Sequence, residues 1–279
     1  MPLIKAFLLP HSPLLIPEIG RANHEFLAKT TAAYQKAKTD FIEAGIETVI
    51  VISPHNRIQE NFFILNAAPE MEISFPDFGF IPPKNFLKGD VLLSDKIKNV
   101  LKDELPLRSL TDNALDYGSA IPLYLLKTPA TNFKVMVISP ADDLNLEENF
   151  KFGLKLSETL ASESKKIAII VSGDLSHRLK RKSPGGYSPK GAKFDNKLIE
   201  YLSDPENAKN NILNMDKRLI SEASECGLKP LVIFLGIIDG LKWEPDILAY
   251  QTDFGIGYLS LEFLLSKNSA ETKNSAETI

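Results

Sequence analysis

Short apolar runs punctuate this chain, and each one stops abruptly at polar residues. Residues 3–9 end at Pro10, Thr48-Val49-Ile50-Val51-Ile52 ends at Ser53, residues 133–139 end at Pro140, and Ile167-Ala168-Ile169-Ile170-Val171 ends at Ser172. Runs this short, rich in β-branched residues and without polar alternation, predict strands covered on both faces, as in parallel sheets. Between them lie stretches of helical period. In residues 21–44 the apolar positions Phe26, Leu27, Ala33, Tyr34, Ala37 and Phe41 recur at helical spacing, and Gly45 supplies a stop. Further helices are predicted over 90–101, 119–126, 146–161, 189–202 and 206–213. Shorter strands are predicted over 61–67 and 105–110, and a very apolar stretch over 231–238.

Strand, helix, strand in the first part of the chain is the pattern of a right-handed parallel crossover. Residues 246–252 and 255–263 alternate as a pair of late strands. The expected fold is therefore α/β: a single domain over residues 1–265, with a mostly parallel central sheet, helices on both faces and late antiparallel strands. Residues 266–279 form a polar tail in which Lys-Asn-Ser-Ala-Glu-Thr at 267–272 is repeated at 273–278, a composition that predicts disorder. Residues 75–86 place Pro76, Gly79, Pro82 and Pro83 among aromatics and read as an irregular loop of the kind that walls a pocket. Residues 178–188 are basic and rich in Gly and Pro, and read as an exposed loop or lid whose charge is solvated.

Composition narrows the class. The chain has 279 residues, 44% of them hydrophobic and 24% charged, which is the balance of a globular protein. No run reaches the roughly 18 apolar residues of a membrane span, and the N-terminal run is too short for a secretory signal, so the expected location is cytoplasmic. The net charge of −4, with cations scattered among acids, speaks against nucleic acid as a partner. Cys226 is the single cysteine, which excludes an internal disulfide, and it reads as a buried thiol rather than a ligand.

The candidate chemistry lies at the strand exits. Of the 4 histidines, His11, His55 and His177 each follow an apolar run, whereas His24 sits in a predicted helix and reads as structural. In open α/β sheets that edge is where ligands bind. Two imidazoles and one carboxylate on one face of a metal form the facial triad of non-heme Fe(II) oxygenases. His11 and His55 are the natural pair. Glu225, at the start of an apolar helix, is the chosen carboxylate; Glu222 and Asp174 are alternatives. His177 would then act as an acid or base beside the metal.

The segments Pro10-His11-Ser12-Pro13-Leu14-Leu15-Ile16-Pro17, Ser53-Pro54-His55, Ser172-Gly173-Asp174-Leu175-Ser176-His177 and Glu222-Ala223-Ser224-Glu225-Cys226-Gly227-Leu228-Lys229-Pro230-Leu231 carry a family resemblance. Together they resemble the class III extradiol ring-cleavage dioxygenases, catalytic (beta) subunit type, and within these the Memo-related homologues associated with AMMECR1-like and radical SAM proteins. The resemblance implies Fe(II), or zinc or another divalent metal, held by His11, His55 and Glu225. It also implies a small catecholic or related aromatic substrate with O2, His177 as an acid/base residue beside Asp174, a homodimer, and an AMMECR1-like or radical SAM partner protein. One position departs from the family: Asp116-Tyr117-Gly118 stands where members carry Asp-His-Gly. Tyr117 can donate a hydrogen bond, but an ordinary phenol pKa of about 10 makes it a poor base at neutral pH. The resemblance thus leaves three functions in view: an extradiol dioxygenase, a catalytically altered Memo-like metal-binding accessory protein, and a zinc-dependent hydrolase.

Overall fold

The computed structural model of the protein describes residues 2–55, 61–83, 85–129 and 131–266. The repeated hexapeptide lies outside the described residues. In chain order the elements are β1 (Leu3–Leu9), α1 (Ala28–Ala44), β2 (Thr48–Ile52), β3 (Phe63–Asn66), β4 (Glu70–Glu72), β5 (Phe86–Lys88), α2 (Val91–Leu101), β6 (Leu107–Leu110) and α3 (Tyr117–Leu126). There follow β7 (Lys134–Ser139), α4 (Leu146–Leu160), β8 (Ile167–Ser172), α5 (Pro189–Leu202), α6 (Pro205–Leu213), α7 (Lys217–Ala223), α8 (Leu228–Ile237), β9 (Trp243–Gln251) and β10 (Tyr258–Leu265).

Eight strands form one sheet in the order β6-β3-β7-β2-β8-β1-β10-β9. The four unbroken apolar runs are its centre: β7, β2, β8 and β1 lie side by side and parallel. Their side chains alternate between two cores. Ile50, Ile52, Ile169 and Val171 join one apolar cluster with α4 and α8, while Val49, Val51, Ala168 and Ile170 join the other with α1 and α3. A strand with both faces buried has no solvent face to carry polar residues, which is why these runs show no alternation. The late strands are antiparallel, β10 to β1 and β9 to β10. The opposite edge reverses as well, since β3 runs antiparallel to β7 and carries β6 with it.

The structure departs from the sequence pattern in a few places. The stretch from Arg21 to Leu27 is a 3-10 helix in which Leu27 alone is buried, and the α-helix begins at Ala28. The helix expected after Glu225 is present: α8 spans Leu228–Ile237, and its every residue but Lys229 is buried. It packs on α4 through Gly153 and Gly236, where a Cβ on either residue would overlap the backbone of the other helix. Helix α7 and the small β4–β5 ladder were not predicted. The loop at 178–188 is pinned rather than free: Leu179 N–H donates to the Gly255 carbonyl (3.1 Å), as does Ser183 Oγ (2.8 Å).

Asp195 on α5 is the buried polar link between the exit of β8 and the late strands. Its Oδ1 accepts from Ser176 N–H (2.9 Å) and its Oδ2 from the Tyr250 hydroxyl (2.7 Å). Burial pushes its carboxyl up to about 6, more than these hydrogen bonds lower it. A carboxyl raised in the folded state binds its proton more tightly than in the unfolded chain. Its contribution to stability is therefore fully present below about pH 4 and is lost as pH rises through about 6. Asp195→Asn should accordingly gain stability relative to the wild type between pH 4.5 and 7.5, by about 2 kcal/mol. Urea unfolding of both proteins at the two pH values measures this, and a stability difference independent of pH would contradict it.

Candidate metal centre

The parallel strands deliver their polar exits to one edge, and there two imidazoles meet. Immediately after β1, the His11 backbone N–H donates to Asp174 Oδ1 (3.1 Å), and its ring is buried with Nδ1 2.9 Å from Ser172 Oγ. That hydroxyl gives its one proton to the Gly118 carbonyl (2.6 Å), so it must accept from Nδ1. The lone pair of His11 is therefore on Nε2. His55 Nε2 lies 3.0 Å from this atom and 2.8 Å from the Tyr117 hydroxyl. The Tyr117 ring stacks on that of His55, with centroids 4.4 Å apart and planes at 22°. Asp116 fixes Tyr117 at the start of α3 by accepting from Ser53 Oγ (2.6 Å) and Ser119 N–H (3.0 Å).

The third group is Cys226. Its Sγ is 3.5 Å from His11 Nε2, and the donor atoms of His11, His55 and Cys226 all lie within 4.8 Å of one another. The sulfur is brought there by backbone. A Cβ on Gly173 would overlap the Cα of Gly227, so the loop after β8 touches the start of α8 with no side chain between. The Asp174 carbonyl accepts from both Cys226 N–H (3.3 Å) and Gly227 N–H (3.1 Å). Glu225 does not join this group. Its carboxylate accepts from Leu228 N–H (2.7 Å) at the N-terminus of α8, and burial pushes it up to about 7. Glu222 is further removed, paired with Arg218 (2.9 Å) and Lys190 (3.5 Å).

Asp174 stands between two histidines. Its Oδ2 is 3.9 Å from His11 Nε2 and 3.8 Å from His177 Nε2, and burial pushes its carboxyl up to about 7. His177 Nδ1 donates to the Ser224 carbonyl (2.7 Å), which can only accept, so the lone pair of His177 is on Nε2 and faces Asp174. Ser224 holds a left-handed conformation (φ 53°) as it presents that carbonyl. Burial holds His11 well below the ordinary imidazole range, and it lowers His55 and His177 too. All three rings are neutral at pH 7, the state a metal ligand requires. Burial, followed by the nearby Asp174, pushes the Cys226 thiol well above its ordinary value; a bound cation reverses that preference.

The donor set fits a metal. The lone pair on His11 Nε2 faces His55 Nε2 across 3.0 Å, a contact that either a proton on His55 Nε2 or a shared cation satisfies. The family match covers nearly the whole chain: residues 5–260 fit the model of the catalytic LigB subunit of aromatic ring-opening dioxygenase. The chain belongs to the LigB family. A protein of Clostridium acetobutylicum designated CA_C1420 is 30% identical to the LigB-family chain over 262 residues, covering 90% of this chain and 55% of that protein. The chain thus spans about half the length of this curated relative. Among solved structures, the uncharacterized protein JW3007 from Escherichia coli K12 superposes with a TM-score of 0.65 at 19% identity, covering 93% of this chain and 99% of that one. This similarity concerns the fold alone. No helix among the described residues is long and apolar enough to cross a membrane.

Of the residues singled out in the sequence, His11, His55, Tyr117, Asp174 and His177 come together at this sheet edge, and Glu225 faces the α8 N-terminus instead. Cys226 was read as a buried thiol; it is half-buried, with its sulfur beside His11. The available signal was its place directly before Gly227 and the apolar α8. Because Gly173 and Gly227 touch, Gly173→Ala should cost about 1–3 kcal/mol of stability and lower metal uptake. Gly79→Ala, in open space, should leave metal uptake intact even though Gly79 has positive φ. Thermal unfolding and metal content after dialysis test the pair, and equal metal occupancy in both variants would refute the assignment.

Proposed function

We propose that this LigB-family protein is a metal-dependent oxidoreductase acting with O2 on a small catecholic or related aromatic compound. In this reading His11, His55 and Cys226 hold the metal. The convergence of two imidazole Nε2 atoms from the exits of β1 and β2 and one sulfur from the entry to α8 carries it. Bound there, a redox-active metal would supply coordination positions for a diol and for dioxygen. Iron is the family's metal; a thiolate in place of a carboxylate also suits zinc and copper.

The remaining residues handle protons and orientation. His177, with its lone pair on Nε2, accepts a proton from a substrate hydroxyl, and Asp174, buried and near neutral in affinity, shares it. The Ser224 carbonyl fixes the tautomer that makes this possible. Tyr117 is pushed above its ordinary value, chiefly by burial, and so serves as a hydrogen-bond donor rather than a base. This favours a second reading, a metal-binding Memo-like protein that does not cleave rings, because the acid/base work then rests on His177 and Asp174 alone. Glu225 becomes the third ligand only if its carboxylate leaves Leu228 N–H.

Cobalt(II) substitution separates the ligand sets. The wild-type protein should show a thiolate-to-cobalt absorption band that disappears in Cys226→Ser and persists in Glu225→Gln, while His55→Ala binds no metal. A wild-type spectrum lacking that band would place the carboxylate, not the sulfur, on the metal. For the activity, oxygen uptake and ring-fission absorbance are followed with the Fe(II)-loaded protein across a panel of catechols. His177→Ala should retain iron and lose about 100-fold or more in turnover. Full iron occupancy without oxygen uptake would decide for the second reading.

A further inference from the structure

A row of rings leads outward from the metal centre, and its last member has no part in the site described so far. The Tyr117 ring, stacked on His55, lies edge-on to His11 with centroids 5.5 Å apart. Phe78 also meets the Tyr117 ring, with centroids 5.8 Å apart and planes at 78°. Phe78 is 38% exposed, high for a phenylalanine that packs against a buried cluster. Its position is built, not incidental. Phe75 N–H donates to the Phe80 carbonyl (2.9 Å) and Phe80 N–H to the Phe75 carbonyl (3.1 Å), closing the chain into a narrow turn. Phe75 and Phe80 lie parallel, with centroids 6.2 Å apart, and both meet Tyr124 of α3 edge-on, at 5.7 and 6.0 Å. Gly79, at φ +71°, turns the chain back directly after Phe78. The turn is thus anchored to α3 by two aromatic rings while it holds a third, half-open, beside the tyrosine that covers His55.

We infer that Phe78 is a specificity-determining residue, the aromatic wall against which a planar ring packs when its oxygens reach the His11–His55–Cys226 centre. The inference rests on the metal-dependent reading above. An exposed ring edge-on to Tyr117 offers a flat ligand the offset or edge-to-face contact that aromatic pairs prefer. It offers nothing comparable to a small aliphatic chelator. Phe78 would therefore discriminate by ring recognition, whereas metal affinity and the handling of protons by His177 would not depend on it.

The test uses the full chain loaded with cobalt(II), with metal content measured first. Binding of catechol and of oxalate, a non-aromatic chelator, is followed by the cobalt spectrum in wild type, Phe78→Ala and Phe78→Leu. Phe78→Ala should keep its metal, bind catechol about three- to tenfold more weakly, and bind oxalate as the wild type does. Phe78→Leu, which keeps apolar bulk without a ring, should fall between. Metal binding with a catechol affinity indifferent to Phe78→Ala would overturn the inference and leave the metal reading standing. Equal weakening for oxalate would also overturn it, because the turn would then matter only for the shape of the site. A wild-type protein that takes up no metal would overturn the metal reading and the inference with it.

Discussion

The site depends on one backbone contact. Gly173, leaving β8, and Gly227, entering α8, touch without side chains between them, and the Asp174 carbonyl binds both backbone N–H groups of Cys226 and Gly227. Through this contact the last apolar helix is tied to the central strand at its polar exit. The same contact sets Cys226 Sγ 3.5 Å from His11 Nε2, and it lets Asp174 reach the His11 backbone with one oxygen and face two imidazoles with the other. The rest of α8 makes the contact rigid. Its buried residues and the glycine-to-glycine crossing with α4 leave the helix no freedom to slide.

Around that junction the hydrogen bonds decide protonation more than placement. Ser172 passes its proton to the Gly118 carbonyl and so requires one from His11, and the Ser224 carbonyl requires one from His177. Each imidazole is thus left with its lone pair on Nε2, the atom that faces the shared space. Burial then holds the rings neutral and raises Asp174 to about 7. In the proposed reading, metal ligands must be deprotonated and acid/base groups must titrate near neutrality, and the same low-dielectric pocket would serve both needs.

Much of this was legible in the chain. Strands buried on both faces cannot alternate, so β1, β2, β7 and β8 appear as unbroken apolar runs, and the polar residues directly after them mark the functional edge. His11, His55, Asp174 and His177 could be read from that rule alone. The reversed edge at β3 and β6 could not, because a four-residue strand carries no direction in its pattern.

The sequence by itself determined the sheet, its polar edge and the residue types available there, since these follow from burial periodicity along a continuous stretch. The tertiary structure decided which of two neighbouring residues, Glu225 or Cys226, turns toward the histidines. Adjacent side chains point in different directions, and the choice rests on where α8 begins and on a glycine contact between segments 54 positions apart in the chain, Gly173 and Gly227. It gave the helix N-terminus its carboxylate and the imidazole pair its sulfur, for a reason of geometry that no local pattern encodes.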